Sequence, residues 1–113
     1  MKTKIGLPTM YGNKVIDTDD ILFVKADGSY SVVQCTNEKI MISKNLSYVQ
    51  GKLTEINFIK THRSFIVNAN RVISLHRDSG GYLLLDTGDV SIPVGATSRL
   101  KIREQLKSMF NFI

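Results

Sequence analysis

The sequence predicts a mostly β protein whose strands are antiparallel. Clusters of turn-forming residues recur at short, regular intervals, at 17–20, 26–29, 36–39, 77–81 and 86–89. Asp, Asn, Gly and Ser tolerate the backbone angles of tight turns. The segments between the clusters are short and rich in branched and aromatic residues, which is typical of strands. Because parallel pairing needs long crossover connections, these short turns favour antiparallel hairpins.

Eight segments are predicted as strands, in the order ILFVKA (21–26), YSVVQC (30–35), KIMIS (39–43), FIKT (58–61), SFIVN (64–68), RVISLH (71–76), YLLLD (82–86) and VSIPV (90–94). Several of these segments are continuous apolar runs without polar alternation. Such runs indicate strands that neighbouring layers cover on both faces.

The first of two predicted helices is short and lies between the third and fourth strands. Its apolar positions Leu46, Val49 and Leu53 fall on one helical face. Asn45 and Ser47 are the two candidates for its N-cap. The predicted helix has about two turns and separates two groups of predicted strands.

The second predicted helix runs from about residue 97 to the C-terminus. Thr97 or Ser98 is its candidate N-cap, and basic side chains occupy the more polar faces. Its predicted buried stripe consists of Leu100, Leu106, Met109, Phe110 and Ile113.

Length and composition indicate a single domain spanning residues 1–113. A chain of 113 residues can bury one core.

No apolar run approaches the roughly 20 residues that span a bilayer, so no membrane association is expected. The N-terminus lacks the apolar stretch and cleavage site of a secretory signal. Cys35 is the only cysteine, which fits a reducing compartment. A cytoplasmic location is therefore expected.

The charge balance favours polyanionic partners. Fifteen Lys and Arg against ten Asp and Glu give a formal charge of +5 and a pI near 9.5. Excess positive charge attracts nucleic acids and gains from counterion release. The surplus of basic over acidic residues lies in the second half of the chain, which directs attention to that half.

No pattern in the sequence predicts an enzyme. His62 and His76 lack partners at metal-ligand spacing, so no metal site or other cofactor is expected. Ser64 is close to His62 but has no oriented acid or glycine elbow beside it. Cys35 has no base close in sequence and is interpreted as a buried thiol. No catalytic residue is predicted.

The segment FIKTHRSFIVNAN (58–70) places Lys60 to Ser64 between apolar strand residues. These five residues offer an ammonium, an imidazole, a guanidinium and two hydroxyls, which are donors for phosphates and base edges. The alternative is a plain solvated turn, held by local hydrogen bonds of Asn68 or Ser64. The residues alone favour neither interpretation strongly, and the net charge tips the balance slightly towards binding.

The longer segment FIKTHRSFIVNANRVISL resembles the signature of the LytTR family, the β-rich DNA-binding output domain of bacterial response regulators. The resemblance extends to DDILFVKADGSYSVVQCT, ISKNLSYVQGKL and GGYLLLDTGDVSIPV, and it covers about residues 19–106. It implies an elongated stack of small antiparallel sheets. It also implies that loops, with no recognition helix, enter successive major grooves on one side of the duplex.

The resemblance implies three DNA-binding loops. Ser29 and Tyr30 match the first loop. In the second loop Arg63 matches the base-reading position, and Lys60 and Ser64 match phosphate contacts. His62 and Asn68 are expected to brace the second loop.

The third loop follows Pro93-Val94 and departs from the family pattern. Family members typically have Ser-Arg after the IPV element, whereas this chain has Gly95 and Ala96. The expected base-reading arginine is therefore missing. Arg99, with help from Thr97, is the candidate to replace it.

The expected function is sequence-specific binding of double-stranded DNA in transcriptional regulation. The resemblance implies a homodimer on repeated half-sites and control by a receiver domain or sensor kinase, although no receiver domain is present in these residues. The alternative is a β-rich protein-interaction module without DNA binding, which docks a partner through exposed strands or the helix that contains Tyr48.

Overall fold

The computed structural model describes residues 3–88, 90–96 and 99–113. Within them the chain forms strands and helices in the order β1 (Lys4–Thr9), β2 (Gly12–Asp17), β3 (Ile21–Asp27), β4 (Tyr30–Cys35), β5 (Lys39–Ile42), α1 (Leu46–Lys52), β6 (Phe58–His62), β7 (Phe65–Asn68), β8 (Ser74–Arg77), β9 (Leu83–Asp86), β10 (Ser91–Pro93) and α2 (Arg99–Met109). Single turns of 3-10 helix lie at Thr18–Asp20 and Ala69–Arg71. The last of these turns occupies the start of the predicted 71–76 strand, so β8 begins later than expected.

The strands form three small antiparallel sheets. The central sheet has the order β5-β4-β3-β7-β6, β1 pairs with β2, and the third sheet has the order β10-β9-β8. The molecule measures 44 × 31 × 24 Å along its principal axes. This architecture confirms the predicted elongated, mostly β fold with a short helix and a C-terminal helix.

Two hydrophobic cores cover the two faces of the central sheet. On one face, sheet residues such as Val33 pack with Leu7 of the β1–β2 hairpin and with Val49 of α1. On the other face, Val67 packs with the β8–β10 sheet and with Ile102 of α2. A strand covered on both faces has no solvent-facing side, which is why the central strands lack polar alternation.

The β1–β2 hairpin differs from the prediction, in which the first strand begins at residue 21. Its strands contain Gly6, Pro8 and Asn13, which have low β propensity. The structure supplies long-range support instead. Leu7 is buried, and the backbone N–H of Ser43 donates to Pro8 O at 3.0 Å.

The short helix is confirmed, and its cap is Asn45. Asn45 Oδ1 accepts a hydrogen bond from the Tyr48 N–H at 2.9 Å. Because the first turn of a helix has N–H groups without backbone partners, this contact stabilises the start of α1. Leu46 and Val49 are buried in the helix as predicted, and Leu53 is buried at its C-cap.

The C-terminal helix is confirmed, but its predicted stripe needs correction. Ile102 and Leu106 are the buried residues of α2, whereas Leu100 is 73% exposed. Leu100 lies two positions before Ile102, so it points about 200° away from it on the helical wheel. The helix ends at Met109, and Ile113 lies beyond it and is exposed. The predicted caps Thr97 and Ser98 lie outside the described residues.

Candidate nucleic-acid interface

The second loop is a two-residue turn, Arg63-Ser64, that joins β6 to β7. The strands pair up to His62 and Phe65. His62 Nδ1 accepts a hydrogen bond from the Ser64 N–H at 3.1 Å, and the His62 ring packs edge-on against Phe65. Arg63 is exposed and Ser64 is half-buried. The loop is therefore short, and the imidazole ties its two sides together.

The predicted five-residue tip is too long. β6 continues through Lys60, which pairs with Ile66, and a bulge follows between Lys60 and His62. Thr61 lies in this bulge with 0% of its surface exposed, so it cannot contact a partner. A bulge inserts one extra residue and re-aims its neighbours. Lys60 is half-buried on the strand, and only Arg63 projects fully.

The first loop lies next to the second at the same end of the central sheet. Gly28 and Ser29 join β3 to β4, and Gly28 has a φ of 61°, a conformation that favours glycine. Ser29 is exposed and Tyr30 is 52% exposed. The N–H of Ala26 donates to Ser64 O at 2.8 Å, which links the two loops.

Lys44, which no sequence motif marks as a site residue, also lies beside the first loop. The buried hydroxyl of Ser31 donates to Lys44 O at 2.8 Å. The Lys44 ammonium lies 4.9 Å from the centroid of the Tyr48 ring. No sequence pattern signals this neighbour, because the bond joins residues 13 positions apart.

The third loop follows β10 and is attached to the strand of the second loop. The Gly95 N–H donates to Thr61 O at 2.7 Å, and Val94 is buried. A Cβ on Gly95 would lie 3.7 Å from Thr61 O, which is ordinary van der Waals contact. Lack of space therefore does not explain why this chain has glycine at the position where the family has serine.

Arg99 lies at the start of α2 beside the third loop. It lines a cleft of about 330 Å³ with Ala96, Leu100 and Arg103. Its Nε is buried and has no hydrogen-bond partner in the described part of the chain. Arg99 is not among the described residues that line the groove beside Arg63. Thr97, its expected helper, lies outside the described residues.

Among the described residues, no carboxylate forms an ion pair with a cation of the three loops. Ion pairs among the described residues join Lys4 to Asp17, Lys14 to Glu38, Arg71 to Asp20 and Lys107 to Glu104. Lys60, Arg63 and Arg99 take part in none of these pairs. Within the described ranges, their charges are therefore uncompensated, and an anionic partner can approach them at the loop end.

Asn68 is placed at the other end of β7, away from the second loop. Its amide donates to Ile21 O at 2.8 Å and accepts from Asn57 Nδ2 and from the Asn70 N–H. This corrects the expectation that Asn68 braces the second loop. A four-residue strand separates the two positions, and the buried amide braces the corner between β3, β6 and β7 instead.

The described residues contain no cluster of three or more His, Cys, Asp and Glu side chains that could hold a metal ion. Burial raises the pKa of the Cys35 thiol to about 11, with smaller contributions from Glu38 and Asp20. The thiol is therefore protonated at neutral pH and a poor nucleophile. Within the described ranges, neither helix is long and apolar enough to cross a bilayer.

Comparison with known proteins identifies the same family along most of the chain. The family model described as the LytTr DNA-binding domain matches residues 11–107. The CO-responsive transcriptional regulator RcoM of Rhodospirillum rubrum is 31% identical over 102 residues, which are 88% of this chain and 43% of that protein. The sensory transduction protein LytT of Bacillus subtilis is 26% identical over 91% of this chain and 43% of its own length. The chain thus spans less than half the length of these relatives.

A solved structure has the same fold. It is titled as the LytTr DNA-binding domain of a putative methyl-accepting/DNA response regulator from Bacillus cereus, and it superposes with a TM-score of 0.78 at 25% identity. The match covers 94% of this chain and 98% of that one. The three sheets and the loops they carry are therefore similar in arrangement to those of a domain with that title.

Proposed function

The chain belongs to the LytTr DNA-binding domain family, and from this premise we propose that it binds a specific double-stranded DNA sequence through three loops that enter successive major grooves. One observation carries this proposal. The three loops emerge at one end of the molecule, and backbone hydrogen bonds from Ala26 to Ser64 and from Gly95 to Thr61 hold them in a row. A rigid row of tips can follow one side of a duplex.

The proposed roles follow from side-chain chemistry and exposure. Arg63 is exposed at the narrow turn, and its planar guanidinium fits guanine O6 and N7. Lys60 and Ser64 contact backbone phosphates, and His62 holds the turn in shape. Ser29 and Tyr30 extend the contact from the first loop.

At the third loop, Arg99, with help from Thr97, makes a DNA contact in place of the missing base-reading arginine. The support is that Arg99 lies next to Ala96 and that its guanidinium pairs with no carboxylate in the described part of the chain. A phosphate is its proposed contact, since a half-buried side chain reaches a backbone more readily than the floor of a groove.

The biological role proposed is transcriptional regulation under the control of a sensory partner. Relatives named as a transcriptional regulator and as a sensory transduction protein support it. The controlling partner is a receiver domain or a sensor kinase, and binding occurs as a homodimer on repeated half-sites. The ratio of protein to duplex in the complex, measured by analytical ultracentrifugation, tests the dimer.

Selection of bound fragments from a random duplex pool tests DNA recognition directly. We expect one sequence to be enriched, and we expect it to compete better than random DNA in fluorescence anisotropy. Affinity should fall steeply as salt is raised, because phosphate contacts release counterions. If no sequence is enriched and binding is insensitive to salt, the proposal is wrong.

A second candidate function, a protein-interaction module, is favoured by one surface. A cleft of about 790 Å³ lies between the tip of the β1–β2 hairpin and β5, and Met10 and Tyr11 are 85% and 91% exposed beside it. An exposed apolar surface of this kind suits a protein better than a phosphate. Substituting Tyr11→Ser should leave DNA affinity unchanged if DNA is the partner of the loops alone.

A further inference from the structure

A cationic groove runs along β6 between the two helices. Its volume is about 440 Å³. The groove's polar lining comes from three elements: Lys60, His62 and Arg63 of β6 and its turn, Gln50 of α1, and Lys101 and Gln105 of α2. None of the described residues that line it is an Asp or a Glu.

Three formal positive charges therefore share one groove. Lys60, Arg63 and Lys101 form no ion pair with a carboxylate in the described part of the chain. Like charges held close together repel, and a bound anion relieves that repulsion. The two glutamine amides add neutral donors to the same lining.

The imidazole of His62 completes the set of donors. Its Nδ1 already accepts the Ser64 N–H, so in the neutral ring Nε2 carries the proton and can donate. Donors of this kind around a cavity match the several acceptor oxygens of a phosphodiester.

The C-terminal helix presents Lys101 to this groove by its register. Ile102 and Leu106 face the core, and Lys101 and Gln105 lie together on one flank of them. Arg99 and Arg103 lie on the other flank, at a separate cleft. The helix thus divides its basic residues between two sites, and Lys101 belongs to the one that adjoins the second loop.

We propose that this groove, defined by Lys60, Arg63, Lys101 and Gln105, holds a backbone phosphate of the bound duplex, so that α2 serves as a fourth DNA contact beside the three loops. The proposal rests on the proposed function, because Lys60 and Arg63 contribute to both the groove and the second loop. A phosphate in the groove would fix the depth at which Arg63 enters the major groove.

Anisotropy titrations of the selected duplex with the Lys101→Ala and Lys107→Ala variants test the proposal. Lys101→Ala should weaken binding roughly eightfold at about 0.1 M salt and reduce the salt slope by about one, since one phosphate contact is lost. Lys107→Ala is the matched control, because this lysine lies on the same helix and pairs with Glu104. It should bind like the wild type.

A duplex with neutral methylphosphonate linkages, introduced one at a time, identifies the phosphate. At one position the modified duplex should weaken wild-type binding more than it weakens binding of Lys101→Ala, because the variant has already lost the contact between Lys101 and that phosphate. If Lys101→Ala binds like Lys107→Ala while Arg63→Ala loses sequence preference, the groove is not a phosphate site. The proposal that the loops bind DNA would still stand. If the wild type itself selects no sequence, the proposed function fails and the groove proposal fails with it.

Discussion

The two ends of the central sheet use their polar side chains in opposite ways. At the end opposite the loops, the buried amide of Asn68 bonds to Ile21 O, Asn57 and Asn70. There also the guanidinium of Arg71 donates twice to Asp19 O, at 2.8 and 2.6 Å. At the loop end, the side chains of Lys60 and Arg63 make no hydrogen bond or ion pair in the described part of the chain.

The difference indicates which end is structural and which is left for a partner. Buried polar groups in folded proteins are almost always satisfied, so each exception needs a reason. The described residues contain two exceptions, Thr61 Oγ1 and Arg99 Nε, and both lie beside the third loop. Among the described residues, the unpaired buried polar atoms therefore lie at the loop end, where the exposed Arg63, and not the buried Thr61, is open to a partner.

The largest expected effect is at the structural end. Asn68→Ala removes an amide that bonds to Ile21 O, Asn57 and the Asn70 N–H, and it leaves Ile21 O and the Asn57 amide buried without that partner. We expect the free energy of unfolding to fall by about 3 kcal/mol. Urea denaturation followed by circular dichroism measures it.

Asn70→Ala is the control for this prediction, because Asn70 is exposed and contributes only its backbone N–H to the network. It should change stability by less than about 0.5 kcal/mol. An Asn68→Ala variant as stable as Asn70→Ala would show that the amide network does not stabilise this corner.

The next effect is at the loop end and concerns binding. Arg63→Ala should weaken binding to the preferred duplex by about 1–3 kcal/mol and relax the preference at one base pair. Its stability should remain within about 0.5 kcal/mol of wild type, since the side chain is exposed. Anisotropy on a set of single-base variants of the site measures both effects.

Arg77→Ala is the matched control. Arg77 is also exposed, but its guanidinium bonds to Gly81 O at the turn between β8 and β9. If both arginine variants bound the preferred duplex as tightly as the wild type, the claim that the loop end of the sheet binds DNA would be wrong.

A smaller effect is expected at Lys60. Lys60→Ala should weaken binding to every duplex alike by about 1 kcal/mol at low salt and reduce the salt slope by about one. The reason is that a phosphate contact carries no base information. Titrations of specific and random duplexes at several salt concentrations measure it, with Lys4→Ala as control because Lys4 pairs with Asp17. If Lys60→Ala instead lost the preference for the specific duplex over random duplexes, Lys60 would contact a base and not a phosphate.

Most of the fold could be predicted from local patterns, and the failures have identifiable causes. Turn clusters and apolar runs predict β3 to β7 because these strands are rich in branched and aromatic residues. The β1–β2 hairpin has no such pattern and depends on a contact between Pro8 and Ser43, 35 residues apart. Leu100 fits a helical stripe, but only the position of the sheet decides that Ile102 faces the core.

The sequence predicts which types of residue form the candidate site, but it predicts their positions in space less well. The sequence identifies the donors of the 60–64 segment, but the bulge that buries Thr61 depends on how β6 pairs with β7. The motif places Asn68 only a few residues after the second loop, but those residues form a strand. The strand carries Asn68 to the opposite end of the sheet, which the motif alone does not show. Lys101 joins the groove only through the packing of α2 on β6.

The smallest expected effect tests whether the loop end carries a cost in stability. Thr61→Val replaces a fully buried hydroxyl, which has no hydrogen-bond partner among the residues that the structure describes, by a methyl group of similar shape. We expect the variant to be more stable by about 0.5–1 kcal/mol, because a buried polar group without a hydrogen bond is unfavourable. Thr36→Val, at an exposed position, is the control and should be neutral in the same urea titration. A destabilised Thr61→Val would mean that the hydroxyl is satisfied, by water or by a shift of the bulge, and that the loop end is no more strained than the opposite end.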